Sequence, residues 1–396
     1  TLSSWVSVDA NPDQIVLTYS EALAGHSGAV TPDVADYSLL VNGIAAAAPT
    51  GVVVAGSTVT ISYAAGTFAT GDNLALTYQP TNGASNDALV DIAGNEAIGF
   101  AQGRVADGYV RNAQIWIDTD GDGDKDYNTG ITTDANGFFF LPADLPSGAI
   151  VISGGFNIDT GVPNTLEMKA PEGAAVINPI TTMVQEIVET GVDAAAAAGQ
   201  VADAFGIVPD GGASITNFDP IAVGNTDAQK VAAQIATVTS LAGESGAATV
   251  VDNLVSQITE VTSFGDVDAT ERLSLADGNT LAALLQDDSG NSVVNAQTLT
   301  TIADAAENIS TAANVSAISE QQGLALDAIA AAAPTLSDAD AVHPYGVDSS
   351  GTAVSTANLI RVNIEVDATD GTSVVKGDTV VLKVDGQVVS LVRDTI

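Results

Sequence analysis

The sequence predicts a multidomain, mixed architecture in which β-sandwich modules are joined to an all-α helical bundle module. Three observations carry this. Apolar residues alternate with a two-residue period over 1–103, the spacing of half-buried strands. From Asn178 to about 333 they recur at helical spacing, and beyond Pro334 the two-residue period returns. Between the first two regions lies Asp118-Thr-Asp-Gly-Asp-Gly-Asp-Lys-Asp126, an acidic repeat flanked by strand-like stretches. A chain of 396 residues has room for two to four domains. The expected segments are 1–103, 104–175, 176–335 and 346–396.

The first segment earns its strands from Gln14–Tyr19, Val52–Val54, Thr58–Tyr63 and Asn73–Tyr78. Asn42-Gly43, Gly71-Asp72 and Gly94-Asn95 separate them as turns at the spacing of an antiparallel sandwich. The order Ile-Val-Leu-Thr-Tyr-Ser-Glu-Ala-Leu, Asp-Tyr-Ser-Leu-Leu-Val-Asn-Gly, Gly-Asp-Asn-Leu-Ala-Leu-Thr-Tyr and Asp-Ile-Ala-Gly-Asn-Glu-Ala resembles the SwmB-type domain of very large bacterial surface proteins. The resemblance spans the segment and implies a spacer or display module without activity.

In the second segment, five carboxylates at alternating positions cannot sit together without a cation. Neighbouring acids about 5 Å apart repel by roughly 3 kcal/mol at an effective dielectric of about 20. A hard divalent ion cancels that cost, and an all-oxygen donor set selects calcium. Asp118, Asp120 and Asp122, followed by Gly123, match positions 1, 3, 5 and 6 of an EF-hand loop. Asp124 would offer its backbone carbonyl and Asp126 would take position 9. Thr129 stands where the bidentate Glu belongs, and Asp134 is the expected substitute. Ala113–Ile117 reads as a strand and Ile131–Leu141 as its hairpin partner, so the loop is expected between strands, unlike an EF-hand. The plainer alternative is a solvated acidic turn.

Asp107–Asp118, the acidic loop and Thr133-Asp-Ala-Asn-Gly-Phe-Phe-Phe-Leu141 are together similar to a CnaB-type, or carboxypeptidase-regulatory-like, sandwich. Gly137 would supply the positive φ of its turn, with Phe138 and Phe140 facing the core. Members of that family form an isopeptide bond from a Lys, an Asn or Asp, and a catalytic acid. Lys169 and Glu167 lie outside the expected opening strand, so that chemistry is not carried over.

Asn178-Pro-Ile-Thr opens the helical segment with a cap and a first-turn proline, followed by apolar positions 180, 183, 184, 187 and 188. Further helices are predicted at 193–205, 226–243, 247–262, 278–287 and 296–333. The last has apolar residues at 299, 302, 306, 309, 313 and 318. Ala-Pro-Glu-Gly-Ala-Ala-Val-Ile-Asn-Pro-Ile-Thr-Thr and Asn-Phe-Asp-Pro-Ile-Ala resemble a helical module that follows such calcium loops in giant marine bacterial proteins. Its apolar faces are expected to be indifferent to the ion. Pro334–Tyr345 reads as a linker. Beyond it, Arg361–Asp367 and Val375–Val389 resemble part of a bacterial Ig-like domain, and the strand pattern at Ile396 reads as interrupted.

Composition bounds the function. The chain carries 49 acidic against 10 basic residues, a net charge of -39, which excludes a nucleic-acid or anionic-membrane surface role, because both need basic patches. Its 46% hydrophobic content excludes a disordered acidic chain. Absence of cysteine removes disulfides and thiol chemistry. This suits an exported bacterial protein that uses ions in place of disulfides, or a halophile's cytosolic protein. Gly25-His-Ser-Gly28 is followed by Ala29, which breaks a nucleophile elbow, and the two histidines, His26 and His343, lie in separate segments. Paired acids suited to glycoside hydrolysis are expected by chance at this Asp frequency. Trp5 and Trp116 could stack on sugars, although Trp116 sits in an apolar strand and reads as core.

No enzyme is expected. The residues point to a structural or adhesive segment of a secreted, calcium-dependent bacterial cell-surface protein: an adhesin, an S-layer-like coat or a filament. Its partners would be neighbouring copies or further modules of the same protein, with surface glycans a further candidate. The alternative is a carbohydrate-binding accessory region of a secreted enzyme.

Overall fold

The computed structural model describes residues 2–24, 33–80, 89–263, 267–268, 271–332, 380–384 and 387–391. The expectations for Gly25–Gly28, for Pro334–Tyr345 with its His343, and for most of 346–396 lie outside these residues. Two compact units are present, Thr1–Gly323 and Leu324–Ile396. The protein is mixed, with antiparallel sheets and seven helices among the described residues.

The first unit begins with β1 (Leu2–Val8), β2 (Asp13–Tyr19), β3 (Leu23–Ala24), β4 (Tyr37–Val41), β5 (Ile44–Ala45), β6 (Gly51–Ala55), β7 (Thr58–Tyr63), β8 (Leu74–Tyr78), β9 (Val90–Asp91) and β10 (Phe100–Val105). Strands β1-β2-β7-β6 form one sheet, and β14-β10-β8-β4-β5 a second, with β14 running from Phe138 to Pro142. Alternation explains the layering. Ile15, Leu17 and Tyr19 of β2 and Val59, Ile61 and Tyr63 of β7 share one core with Leu39, Leu76, Tyr78 and Phe100 of the facing sheet. The intervening Gln14, Val16, Thr18, Thr60 and Ser62 are only partly buried. Fully burying one such side chain contributes about 1.5–3 kcal/mol. The predicted Asn42-Gly43 turn has both residues at positive φ, +52° and +81°, as a two-residue hairpin requires.

Next come β11 (Val110–Arg111), β12 (Gln114–Asp118), β13 (Tyr127–Thr132), β15 (Ala149–Ser153), β16 (Phe156–Asn157), β17 (Met168–Ala170) and β18 (Val176–Ile177). Sheet β13-β12-β15-β17 covers a core of Ile115, Ile150, Ile152, Met168 and Ala170. The expected hairpin partner over Ile131–Leu141 divides in two. Its first part stays on β12 as β13, whereas β14 pairs with β10, from Phe100↔Pro142 to Arg104↔Phe138. The cause is the run Phe138-Phe139-Phe140, which has no polar face. Phe139 enters the core of the second region, while Phe138 and Phe140 meet Trp5 edge-on at 5.0 and 6.1 Å. A strand apolar on both sides must lie between two cores. Hence the expected border at 103/104 falls within β10, which joins strands from both sides of that border. Trp116 is half-buried, on the side of β12 opposite Ile115 and Ile117, and does not join the apolar core expected for it.

The helices are α1 (Pro179–Glu189), α2 (Ala194–Phe205), α3 (Thr226–Leu241), α4 (Gly243–Thr262), α5 (Gly278–Leu284), α6 (Ala296–Thr311) and α7 (Val315–Ala332). Side-chain caps start most of them. Asn178 and Thr181 form a capping box on α1, and Asp193, Asn225, Asp277 and Asn295 cap α2, α3, α5 and α6. Ile180, Val184 and Ile187 of α1 meet Val201 of α2, Ile235 of α3 and Leu254 and Ile258 of α4 in one apolar core. The predicted helix over 296–333 is two helices. Asn314 breaks it because its side chain accepts from the backbone N–H of Ala317 and so starts a new helix. Among the described residues, no helix is long and apolar enough to cross a membrane.

In the second unit, β19 (Val380–Val384) and β20 (Gln387–Leu391) pair antiparallel, from Val380↔Leu391 to Val384↔Gln387.

Candidate metal centre

The acidic loop is the connection of the β12–β13 hairpin, closed by the pair Ile117↔Tyr127. Its carboxylates shape it. Asp118 is 1% exposed and accepts three backbone N–H groups: Oδ1 from Asp120 and Gly121 at 3.3 and 2.8 Å, Oδ2 from Gly123 at 3.0 Å. Asp120 and Asp122 each accept from the residue two further on, at 3.3 and 3.0 Å. Asp126 Oδ2 closes the loop by accepting from the Thr119 N–H and hydroxyl, both at 2.8 Å.

These turns bring carboxylate oxygens of Asp118, Asp120 and Asp126 within 4.8 Å of one another. Asp122 and Asp124 lie in the same loop but outside this convergent group. Asp134 sits elsewhere. Its Oδ1 accepts from the Asn136 and Phe138 backbones at 2.7 and 2.9 Å and shapes the turn into β14. Gly137 in that turn has the expected positive φ. The Thr129 hydroxyl is spent on the Ile115 carbonyl at 2.7 Å, so the EF-hand position 12 is not replaced from β13.

The electrostatics separate Asp120 from Asp126. For Asp120 a hydrogen bond from Asp122 lowers the pKa, but the charges of Asp122, Asp126 and Asp118, with desolvation, hold it above the ordinary carboxylate range. For Asp126 the Thr119 hydrogen bonds win, and its pKa is lowered. The donor set is hard oxygen throughout, mutually repelling and partly exposed. It fits a divalent cation of the calcium type, with solvent completing the six to eight ligands such an ion takes.

Sequence reasoning named Lys169 and Glu167 but did not foresee their ion pairs beside this loop. Lys169 Nζ lies 2.8 Å from Glu186 and 3.3 Å from Glu189, with the ammonium side chain only 12% exposed. Lys125 pairs with Glu167. The signal available was scarcity, since each lysine is one of only ten basic residues. Lys169 therefore has two glutamate partners on α1.

A second polar cluster is buried around β10 and the loop before α3. The Arg104 guanidinium stacks 3.3 Å from the Tyr109 ring centroid and 4.3 Å from that of Phe138, and reaches Asp219 at 3.5 Å. Burial raises the Asp219 pKa against the opposing pull of Arg104. Asp107, also buried, accepts from Gln322 Nε2 at 2.9 Å, and burial pushes its pKa to about 6. No known protein family, curated protein or solved structure matches this chain.

Proposed function

We propose that this chain is a structural, non-enzymatic segment of a calcium-dependent protein of the bacterial exterior, an adhesin, coat or filament. The carrying observation is the convergence of Asp118, Asp120 and Asp126 on a hairpin whose turns those same acids build. Like charges brought this close repel, and the charges of Asp122, Asp126 and Asp118 raise the pKa of Asp120, so a bound cation would relieve that repulsion. When bound, a divalent cation would supply the compensating charge. The chain's own share is to orient the oxygens through the Gly121 and Gly123 N–H groups and to hold Asp118 at the end of β12.

Within this reading, the facing sheets of the first region are an Ig-like sandwich of SwmB type. The β12–β13 region is a CnaB-like module, the helices form a bundle, and 346–396 is part of a further Ig-like module. Modules of this kind stand off a surface, with neighbouring copies, further modules or surface glycans as partners. The carbohydrate-accessory reading draws no support from Trp5, whose ring is engaged edge-on by Phe138 and Phe140.

Calorimetric titration of the whole chain with CaCl2 tests the site. Extracellular modules bind in the range of about 10⁻⁴–10⁻³ M. At about 10 mM calcium and a Kd of about 0.3 mM, the fold around the site gains about 2 kcal/mol, from RT ln(1 + [L]/Kd). Asp118→Ala with Asp126→Ala should abolish both the heat and the gain. No binding at 10 mM calcium would end the proposal.

A further inference from the structure

We propose that Lys169 is a positioning residue that couples cation occupancy of the 118–126 loop to helix α1. The inference rests on the calcium reading above and adds to it a route. The Gly123 N–H donates to Asp118, one of the three convergent acids, so the position of Gly123 follows that carboxylate. On its other side Gly123 is pressed against Lys169 and Glu189. A Cβ built on it would lie 2.6 Å from Lys169 Nζ and 2.6 Å from Glu189 Oε2. Its φ of +87° also favours glycine.

Lys169 is in turn gripped along α1 at both ends. Its main-chain N–H donates to Thr182 Oγ1 and its carbonyl accepts from Thr181 Oγ1, each at 3.0 Å, in the first turn of the helix. Its ammonium reaches Glu186 and Glu189 in the last turns. Lys125, also in the acidic loop, pairs with Glu167, two residues before Lys169, and adds a second staple. A loop held in one shape by a cation keeps Gly123 seated and the ammonium between its glutamates. A loop that opens by charge repulsion withdraws Gly123 and exposes that pair to water. α1 belongs to the helical core, so the indifference to the ion expected for that region does not extend to this helix.

Coupling of this kind is a free energy shared between two places, and it is measurable as such. Hydrogen exchange of the whole chain should show α1 amides slowed by calcium by up to about 30-fold at 10 mM, the factor 1 + [L]/Kd for a Kd of about 0.3 mM. Amides of α6, which packs on α3, serve as the internal reference and should change far less. Lys169→Met should leave the calorimetric Kd within about threefold while removing the calcium-dependent slowing in α1. Glu189→Gln, which keeps shape and loses charge, should reduce it. Circular dichroism checks that both variants fold, and Glu189→Gln carries the test if Lys169→Met does not. Calcium binding with α1 unaffected, equal slowing in α1 and α6, or slowing that survives both substitutions would overturn the coupling and leave the site intact. Absence of calcium binding in the wild type would remove both.

Discussion

Asp107→Asn should stabilise the protein above pH 6 and do nothing near pH 4. Asp107 is 6% exposed, and the neutral side chains of Gln322 and Asn157 hydrogen-bond its carboxylate. Burial is the main reason its pKa rises from 3.8 to about 6, with Asp159 adding like-charge repulsion. The folded state therefore binds a proton that the unfolded state has lost between those two values. This group's contribution to stability falls as pH rises through this window, and its full cost is present above pH 6. At 1.36 kcal/mol per pH unit the charged form costs about 3 kcal/mol. Asparagine copies the protonated shape, still accepts from Gln322 and carries no charge. At about 2.1 cal/mol/K per residue over the 323 residues of Thr1–Gly323, the gain corresponds to about 4 °C in Tm. Thermal unfolding of wild type and variant at pH 4, 6 and 8 is the assay. The difference between the two proteins cancels the many other carboxylates that titrate in the same range. A variant that is less stable at pH 8, or a difference that does not change between pH 4 and pH 8, would refute the reasoning.

Two further substitutions probe the junctions. Asp219→Ala should cost about 3–5 kcal/mol in urea unfolding, because it strands the buried Arg104 guanidinium without its counter-charge. It also removes acceptors from the Ile221 and Ala222 N–H groups. Gly43→Ala should cost about 2–5 kcal/mol by the same measurement: about 1–2 for a left-handed alanine, and about 1–3 for overpacking. The clash arises because its Cβ would lie 2.5 Å from the Asn217 carbonyl oxygen. Gly94→Ala is the matched control, at positive φ but in open space, and should show only the first part. Equal losses at the two glycines would show that the Gly43–Asn217 contact carries no weight.

What the sequence determined by itself was local. Strand alternation over Asp13–Tyr19 and Thr58–Tyr63, the Asn42-Gly43 turn, and the caps at Asn178 and Asp193 are each decided by a few neighbouring residues and the period of one element. The acidic loop was legible for the same reason, since its hydrogen bonds run between residues two to seven apart. Tertiary structure decided what depended on distant partners. Phe138-Phe139-Phe140 could be read as apolar, but only the presence of a core on each side sent β14 to β10 and away from β13. Which acids converge was likewise beyond the spacing. Asp122 and Asp134 have the residue type, but the backbone turns aim only Asp118, Asp120 and Asp126 at one point. The ion pairs of Lys169 with Glu186 and of Arg104 with Asp219 join groups separated by 17 and more residues. Nothing in a local period marks which rare cation a buried carboxylate will find. Burial energies are set by the whole packed interior, so a charge's partner is fixed only when the chain closes around it.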